Sequence, residues 1–300
     1  MEHFVLGILV DNELLRGEVS MKYELKQYMI KQFQAQLTEE EKSEATIRKY
    51  VHDVQSFFEY LDEDKKVSKN VVIGYKQFLM ETFTPCSVNS MLSALNCFLR
   101  WAGWYDCIVK TLKIQKEAFR SGEKELSKEE YYRLLDQAHK NGNIRLYLLI
   151  QTIGSTGIRV GELRFITVES LKSGRARVSL KGKTRTVLMP KLLCRKLKIY
   201  AKERGIQSGS VFVTARGKPL DRSNICHDMK RLCEKAGVPK EKVFPHNLRH
   251  LFACIYYSEE KDLSHLADIL GHSNVNTTRI YTMTSEEEQA RRIEELGLVV

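Results

Sequence analysis

The 300-residue sequence has no long hydrophobic run, because no stretch approaches the roughly 18 uninterrupted apolar residues that a membrane-spanning helix needs. Proline is scarce, with 5 residues, while hydrophobic side chains make up 43% of the chain. This composition excludes collagen-like and disordered proteins. The apolar run at residues 4–10 follows Glu2 and His3 rather than basic residues, which makes it a poor secretion signal. The sequence therefore predicts a globular protein without a membrane segment.

Cysteine offers no structural framework either. The seven cysteines are odd in number and scattered, and none forms a C-x-x-C pair. Disulfide-stapled domains and zinc ribbons carry cysteines in pairs at short spacing. The pattern favours a protein of the reducing cytoplasm.

The charge of the chain is unevenly distributed. Its formal net charge is +10, yet residues 1–120 carry 16 Lys and Arg against 17 Asp and Glu, whereas residues 121–300 carry 32 against 21. A cationic domain attracts polyanions, and nucleic acid is bound largely through the release of counterions. The charge favours a nucleic-acid partner, with solubilising surface charge as the alternative.

The length suits two domains. Residues 1–20 show no clean period and are interpreted as a tail or an extension. The pattern then becomes regular, and apolar residues recur at helical spacing from Thr46 onward. The polar segment at residues 110–124 predicts a linker. We therefore expect a helical domain at residues 21–118 and a second domain at residues 119–300.

Helix boundaries in the second domain are marked by capping residues. Ser127 and Glu130 form the pattern of a capping box, and Gly154 and Gly157 are expected to interrupt the helix that follows. Further helix ends are expected at Ser223, Pro245, Gly271 and Ser285.

One hairpin is predicted among these helices. Strand-like runs at residues 175–180 and 184–189 are joined by Lys181-Gly182-Lys183, which is typical of a hairpin with a basic turn. The expected fold class is mainly α, with one small antiparallel sheet in the second domain.

Three segments of the basic domain hold polar residues that packing does not explain. They are Thr156-Gly-Ile-Arg159-Val-Gly-Glu162-Leu163, His246-Asn-Leu-Arg249-His250, and Leu270-Gly-His272, which Tyr281 follows nine residues later. Their order and spacing resemble the tyrosine recombinase (phage integrase) family, whose catalytic domain has T-G-x-R-x-x-E-L, H-x-L-R-H and L-G-H before a tyrosine. Each motif alone is weak, but the combination is highly specific.

The residue types themselves suit an anion. Arg159 follows a glycine-broken turn and starts a short helix, where free N–H groups and a planar guanidinium favour phosphate oxygens. His246 and Arg249 are three apart on a helix and point from one face. The same helix permits a metal site, because His246, His250 and Cys254 are spaced four apart. No glutamate completes an H-E-x-x-H motif, so we expect no metal.

The resemblance implies a division of catalytic tasks. The two arginines would hold the non-bridging phosphate oxygens, one histidine would accept the proton of the nucleophile, and the other would donate a hydrogen bond. The lysine would protonate the leaving 5′-oxygen, and the tyrosine would become a 3′-phosphotyrosine. The residues implied for these roles are Arg159, Arg249, His246, His272, Lys181 and Tyr281.

Two assignments in this set stay open or secondary. Lys183 and Arg185 lie so close to Lys181 that the hairpin lysine is uncertain by one register step, and all three residues could instead form a solvated charge run. Glu162 lies one turn beyond Arg159 and is interpreted as a support for Arg159 or for a neighbouring basic group.

The resemblance also implies domain roles and partners. Residues 21–118 would be a core-binding domain that binds DNA, and residues 119–300 would be the catalytic domain. The resemblance further predicts duplex DNA, four protomers assembled on two recombining sites, and no metal or nucleotide cofactor. A type IB topoisomerase, which relaxes DNA as a monomer with the same chemistry, is the nearest enzymatic alternative. A DNA-binding regulator without catalysis is the alternative from another class. The apolar end Leu298-Val-Val300 follows an expected helix and favours docking on a neighbouring protomer, hence recombination.

Overall fold

The computed structural model describes residues 23–114, 124–180, 183–282 and 286–298. The backbone divides into two compact units, residues 1–116 and residues 117–300. The tail expected at residues 1–20, the hairpin residue Lys181 and the expected cap Ser285 lie outside the described residues. Within the described ranges, no helix is both long and apolar enough to cross a membrane.

The described residues of the first unit, 23–114, form four α-helices, and local residues mark the starts of three of them. The side chain of Ser43 accepts a hydrogen bond from the backbone N–H of Thr46, and Ser68 does the same for Val71. Pro85 occupies the first turn of the fourth helix, where its missing N–H costs nothing. The helices are α1 (Gln27–Glu39), α2 (Glu44–Tyr60), α3 (Lys69–Thr82) and α4 (Pro85–Trp101).

The core of the first unit is aromatic. The rings of Phe33 and Phe98 meet edge to face with centroids 5.3 Å apart, and Phe57 lies 5.0 Å from Tyr75. One short pairing, β1 (Tyr23–Glu24) with β2 (Lys66–Val67), interrupts the expected all-helical pattern. Two-residue strands are too short to produce a visible alternation, so sequence periodicity misses them.

The second unit is also mainly helical. The capping box predicted at Ser127 and Glu130 forms, with both reciprocal hydrogen bonds present. Short 3₁₀ segments cover Val160–Phe165, Lys240–Lys242, Val275–Thr277 and Arg279–Tyr281. The helices are α5 (Lys128–Lys140), α6 (Ile144–Thr156), α7 (Ser170–Ser173), α8 (Lys191–Glu203), α9 (Arg222–Ala236), α10 (Pro245–Glu260), α11 (Leu263–Leu270) and α12 (Glu286–Glu294).

The predicted hairpin forms from β3 (Arg175–Leu180) and β4 (Lys183–Leu188), which are antiparallel. Leu180 pairs with Lys183, so β4 begins one residue earlier than the sequence indicated. Lys183 therefore belongs to the strand, and only residues 181 and 182 connect the two strands.

Two expected helix boundaries are wrong. Gly154 does not interrupt α6, because it lies inside the helix, where a Cβ would sit 2.7 Å from Cε2 of Tyr131. The glycine serves close packing of α5 on α6 rather than a turn. Ser223 does not cap α9 either, since the carboxylate of Asp221 accepts from the backbone N–H of Asn224 at 2.8 Å.

Candidate active site

The C-terminal end of α11 gathers three arginines. Its last carbonyl groups have no partner within the helix, and those of Ala267 and Asp268 are satisfied by the backbone N–H groups that follow. The next three carbonyl oxygens in sequence each accept from a different arginine: Ile269 from Arg185 at 2.6 Å, Leu270 from Arg249 at 2.8 Å and Gly271 from Arg159 at 3.0 Å. The negative end of the helix dipole adds to this attraction.

Arg159 is also held by Glu162 on the turn that follows it. Its Nη1 donates to Oε1 of Glu162 at 3.0 Å, and its backbone N–H donates to Oε2 at 3.0 Å. The Arg159 side chain is 39% exposed, whereas that of Glu162 is 3% exposed. The arginine therefore presents its outer edge to solvent while a buried carboxylate fixes its inner edge, as the sequence predicted for Glu162.

Glu162 pairs with a second cation on the hairpin. Nη2 of Arg185 donates to Oε2 of Glu162 at 2.7 Å. Burial alone would raise the pKa of the Glu162 carboxyl, but the hydrogen bonds from Arg185 and Arg159 outweigh it and lower that pKa. Arg185 is thus a largely buried anchor, with its side chain 14% exposed, which excludes the solvated charge run for this residue.

Arg249 is almost fully buried on α10. Its Nη1 donates to the carbonyl of Gly157 and its Nη2 to that of Leu270. Burial, followed by the charge of Arg159, lowers the pKa of Arg249 to about 10, so the guanidinium stays positive at neutral pH.

His272 connects Arg249 to the segment that carries the tyrosine. Its Nε2 lies 3.0 Å from Nη2 of Arg249, and its Nδ1 lies 2.9 Å from the Thr278 hydroxyl. Burial and then the nearby arginine charges lower its pKa to about 4, so the ring is neutral at pH 7. Because an arginine only donates, Nε2 accepts and Nδ1–H donates to Thr278. Both nitrogens are therefore engaged within the protein.

Tyr281 lies beside this network in the last 3₁₀ segment. It is only 4% exposed, its ring stacks near His272 with centroids 6.4 Å apart, and it meets His250 edge to face at 5.0 Å. Burial raises the pKa of the phenol, while the charge and hydrogen bond of Arg249 oppose that shift. The phenol is therefore protonated at neutral pH and must lose its proton to act as a nucleophile.

A cavity of about 250 Å³ opens between these elements. Burial, then the charges of Arg249, Arg222 and Arg159, lowers the pKa of His246, which leaves this ring neutral and able to accept a proton. The cavity is lined by Ile158, Arg159, Val160, Arg222, Phe244, Pro245, His246 and Arg249.

Five of the six predicted residues lie in the second unit, namely Arg159, His246, Arg249, His272 and Tyr281. The sixth, Lys181, lies outside the described residues. Sequence reasoning missed Arg222, Thr278 and the anchoring role of Arg185. A signal for Arg185 was available, since it lies two residues before the buried Val187 on β4 and therefore points to the same face of the hairpin. Across the described parts of the chain, no group of three His, Cys, Asp or Glu side chains is placed to hold a metal.

Comparison with known proteins gives a consistent result. Residues 124–288 match the model of the phage integrase family, and residues 30–105 match the phage integrase N-terminal SAM-like domain. The tyrosine recombinase XerA of Thermococcus kodakarensis is 30% identical over 282 residues, which cover 89% of this chain and 97% of that protein. The tyrosine recombinase XerD of Shewanella oneidensis is 29% identical over 265 residues, covering 80% and 86%.

A solved structure supports the fold. A lambda integrase tetramer bound to a Holliday junction superimposes with a TM-score of 0.69 at 17% identity, covering 85% of this chain and 76% of that one. The mainly helical fold with its two small antiparallel sheets is therefore that of the integrases.

Proposed function

The chain belongs to the phage integrase family and is a tyrosine recombinase, and from this premise we propose that it cuts and rejoins duplex DNA through a 3′-phosphotyrosyl bond to Tyr281. The observation that carries the proposal is the position of this phenol, buried against Arg249 in the unit that also holds Arg159 and His246. A nucleophile and a cluster of cations that can receive a phosphate then lie in one active site.

The phosphate is held by the two arginines in this proposal. Arg159 and Arg249 both line the 250 Å³ cavity, Arg249 from α10. A planar guanidinium binds two phosphate oxygens at once, and fixed cations stabilise the extra negative charge of the transition state.

Proton transfer completes the chemistry. Because the pKa of Tyr281 is raised and that of His246 is lowered, the phenol needs a base and the neutral imidazole is free to be one. The Tyr281 oxygen attacks phosphorus, the bond to the 5′-oxygen breaks, and Lys181 supplies the proton to that leaving oxygen. We assign His272 to holding Arg249 and the Tyr281 segment in place.

The reaction conserves the energy of the broken bond. The phosphotyrosyl ester is attacked by a 5′-hydroxyl of a second strand, which restores a phosphodiester and frees the phenol. Since arginine and lysine provide the positive charge, the proposal requires neither a nucleotide nor a divalent ion, and cleavage is expected to persist in EDTA.

We propose duplex DNA as the partner and a tetramer on two sites as the active assembly. The excess positive charge of residues 121–300 supports the first part. The second part is supported by the exposed apolar side chains near the C-terminal end, with Leu296 63% and Leu298 82% exposed. We propose that this end docks on a neighbouring protomer, and that the protein acts in the cytoplasm.

A suicide substrate tests the chemistry. DNA with a nick beside the cleavage site releases its leaving strand, so the wild type should accumulate a covalent complex that survives denaturation. Tyr281→Phe should bind the same DNA and form no such complex, whereas Tyr257→Phe, a control on α10, should form it normally. Trapping of Tyr281→Phe would contradict the assignment, and absence of any adduct from the wild type would favour the non-catalytic regulator.

A truncation tests the assembly. Deleting residues 287–300 should leave binding to a single site nearly intact and abolish synapsis and strand exchange. A truncated protein that recombines normally, or one that relaxes supercoiled DNA as a monomer in the way of a topoisomerase, would contradict the tetramer.

A further inference from the structure

We propose that Arg185 is a positioning residue that keeps Glu162 from neutralising Arg159. The inference rests on the proposed function of Arg159 as a phosphate-binding cation. It concerns how a buried carboxylate can sit beside that cation without cancelling it.

The two oxygens of Glu162 are divided between two guanidinium groups. Oε1 accepts from Nη1 of Arg159 at 3.0 Å, while Oε2 accepts from Nη2 of Arg185 at 2.7 Å. Oε2 also accepts the backbone N–H of Arg159. Arg159 therefore gives a single side-chain donor to the carboxylate, and its other N–H groups remain for the carbonyl of Gly271 and for a phosphate.

Removing Arg185 changes this balance. An arginine and a carboxylate prefer a bidentate pair, and the Glu162 side chain, at 3% exposure, has little water to turn to. Its second oxygen would be drawn to Arg159. That pairing would use two donors of Arg159, cancel its charge and weaken its hold on a phosphate.

Arg185 is itself fixed too firmly to serve as a phosphate ligand. Its Nη1 is bonded to the carbonyl of Ile269 at 2.6 Å, and its side chain is 14% exposed against 39% for Arg159. It passes directly over Gly271, where any Cβ would collide with its Cδ. The residue thus acts through Glu162 and does not touch DNA.

A pair of variants separates this role from a purely structural one. Arg185→Met leaves an unbalanced carboxylate beside Arg159. The double variant Arg185→Met/Glu162→Gln removes both charges, so that Arg159 again has no excess negative charge next to it. Arg177→Met, at an exposed position on β3 of the same hairpin, is the matched control for the loss of one arginine.

The readout is the rate of covalent complex formation on the nicked substrate at saturating protein. Arg185→Met is expected to cleave about 100-fold more slowly than the wild type, and Arg177→Met at the wild-type rate. The double variant should recover to within about 10-fold of the wild type. A double variant no faster than Arg185→Met, or an Arg185→Met that cleaves normally, would overturn the proposal.

Two further measurements guard the interpretation. A 5′-bridging phosphorothiolate, whose sulfur leaves without a proton, should not restore Arg185→Met; restoration would move the defect to the leaving group and refute the role through Arg159. Arg185→Lys keeps a positive charge against Glu162, so its cleavage rate is expected to stay within about 10-fold of the wild-type rate. This variant tests the proposal even when Arg185→Met does not fold. A loss as large as that of Arg159→Ala would contradict the inference.

Covalent complex formation distinguishes a failure of this inference from a failure of the proposed function. If the wild type forms no covalent complex, the proposed function is wrong. If the wild type and Arg177→Met form it while the Arg185 variants depart from the expected order, only the role of Arg185 is wrong.

Discussion

The two units of the chain bury polar groups in different ways. In the first unit, buried Asp53 is paired with Lys49 on the same helix, and buried Asn96 bonds both backbone groups of Val109. Each serves a local connection. In the second unit, Glu162 and Arg249 belong to one network that joins α6, α10, α11 and the hairpin. Charge is costly to bury, so its concentration at one place supports the proposed active site in the second unit.

Substitution of Arg249 should have the largest effect on the buried charge network of the second unit. Arg249→Lys keeps the charge but cannot reach the two carbonyls and a phosphate together. We expect cleavage to fall by about 100–1000-fold, with DNA binding affinity changed far less. Gel-shift titration and covalent trapping on the same DNA measure the two effects. An equal loss in both would make Arg249 an ordinary DNA anchor.

The hairpin lysine offers the next largest effect. Lys181→Ala is expected to slow cleavage by about 100-fold, the lower range for losing a general acid. A 5′-bridging phosphorothiolate should restore the rate for this variant and should not do so for Arg159→Ala. If the sulfur substrate restores Lys183→Ala instead, the acid lies one step further along, on β4.

Substitution of Asn96 tests whether the buried polar groups of the first unit serve stability alone. Asn96→Ala leaves the N–H and the carbonyl of Val109 without their side-chain partner, so the free energy of unfolding should fall by about 1–3 kcal/mol. Denaturant unfolding measures this loss. Cleavage by the folded variant at 25 °C should match the wild type; a loss of cleavage without a loss of stability would mean that the first unit also shapes the chemistry.

The smallest effect is a dependence of stability on pH. An unfolded histidine titrates near 6.5, whereas the pKa of folded His272 is about 4. As the pH falls through this range the unfolded chain gains the proton first, so stability present above pH 6.5 is lost toward pH 4. Melting temperatures of the wild type should therefore drop more steeply over this range than those of His272→Gln. Parallel curves would contradict the pKa shift.

Local sequence patterns explain why much of the fold could be predicted. The capping box at Ser127, the proline that opens α10 and the glycine after α11 act within a few residues, and all three were recognised from the sequence. The three motifs and the tyrosine that follows them likewise identified the family. Periodicity described the helices well wherever an apolar stripe faced a core.

The parts of the site that the sequence does not predict depend on contacts between residues far apart in the chain. Arg159 bonds to Gly271, 112 positions away, and Arg185 to Ile269, 84 positions away. No spacing rule relates such residues, so the shared carboxylate and the row of carbonyls emerge only from the fold. Gly154 illustrates the opposite error: this residue, typical of turns, lies inside α6 because Tyr131 leaves no room for a side chain there. Its sequence neighbours do not indicate that contact.

The end of α11 has a consequence for mutational tolerance. The groups that hold the three arginines are main-chain carbonyls, so replacing the side chains of Ile269 or Leu270 cannot delete an acceptor. Position 271 is different, because its backbone has φ +64° and lies against Arg185. The exposed positions of this helix can therefore change without removing an acceptor, whereas a single methyl group at Gly271 would collide with Arg185.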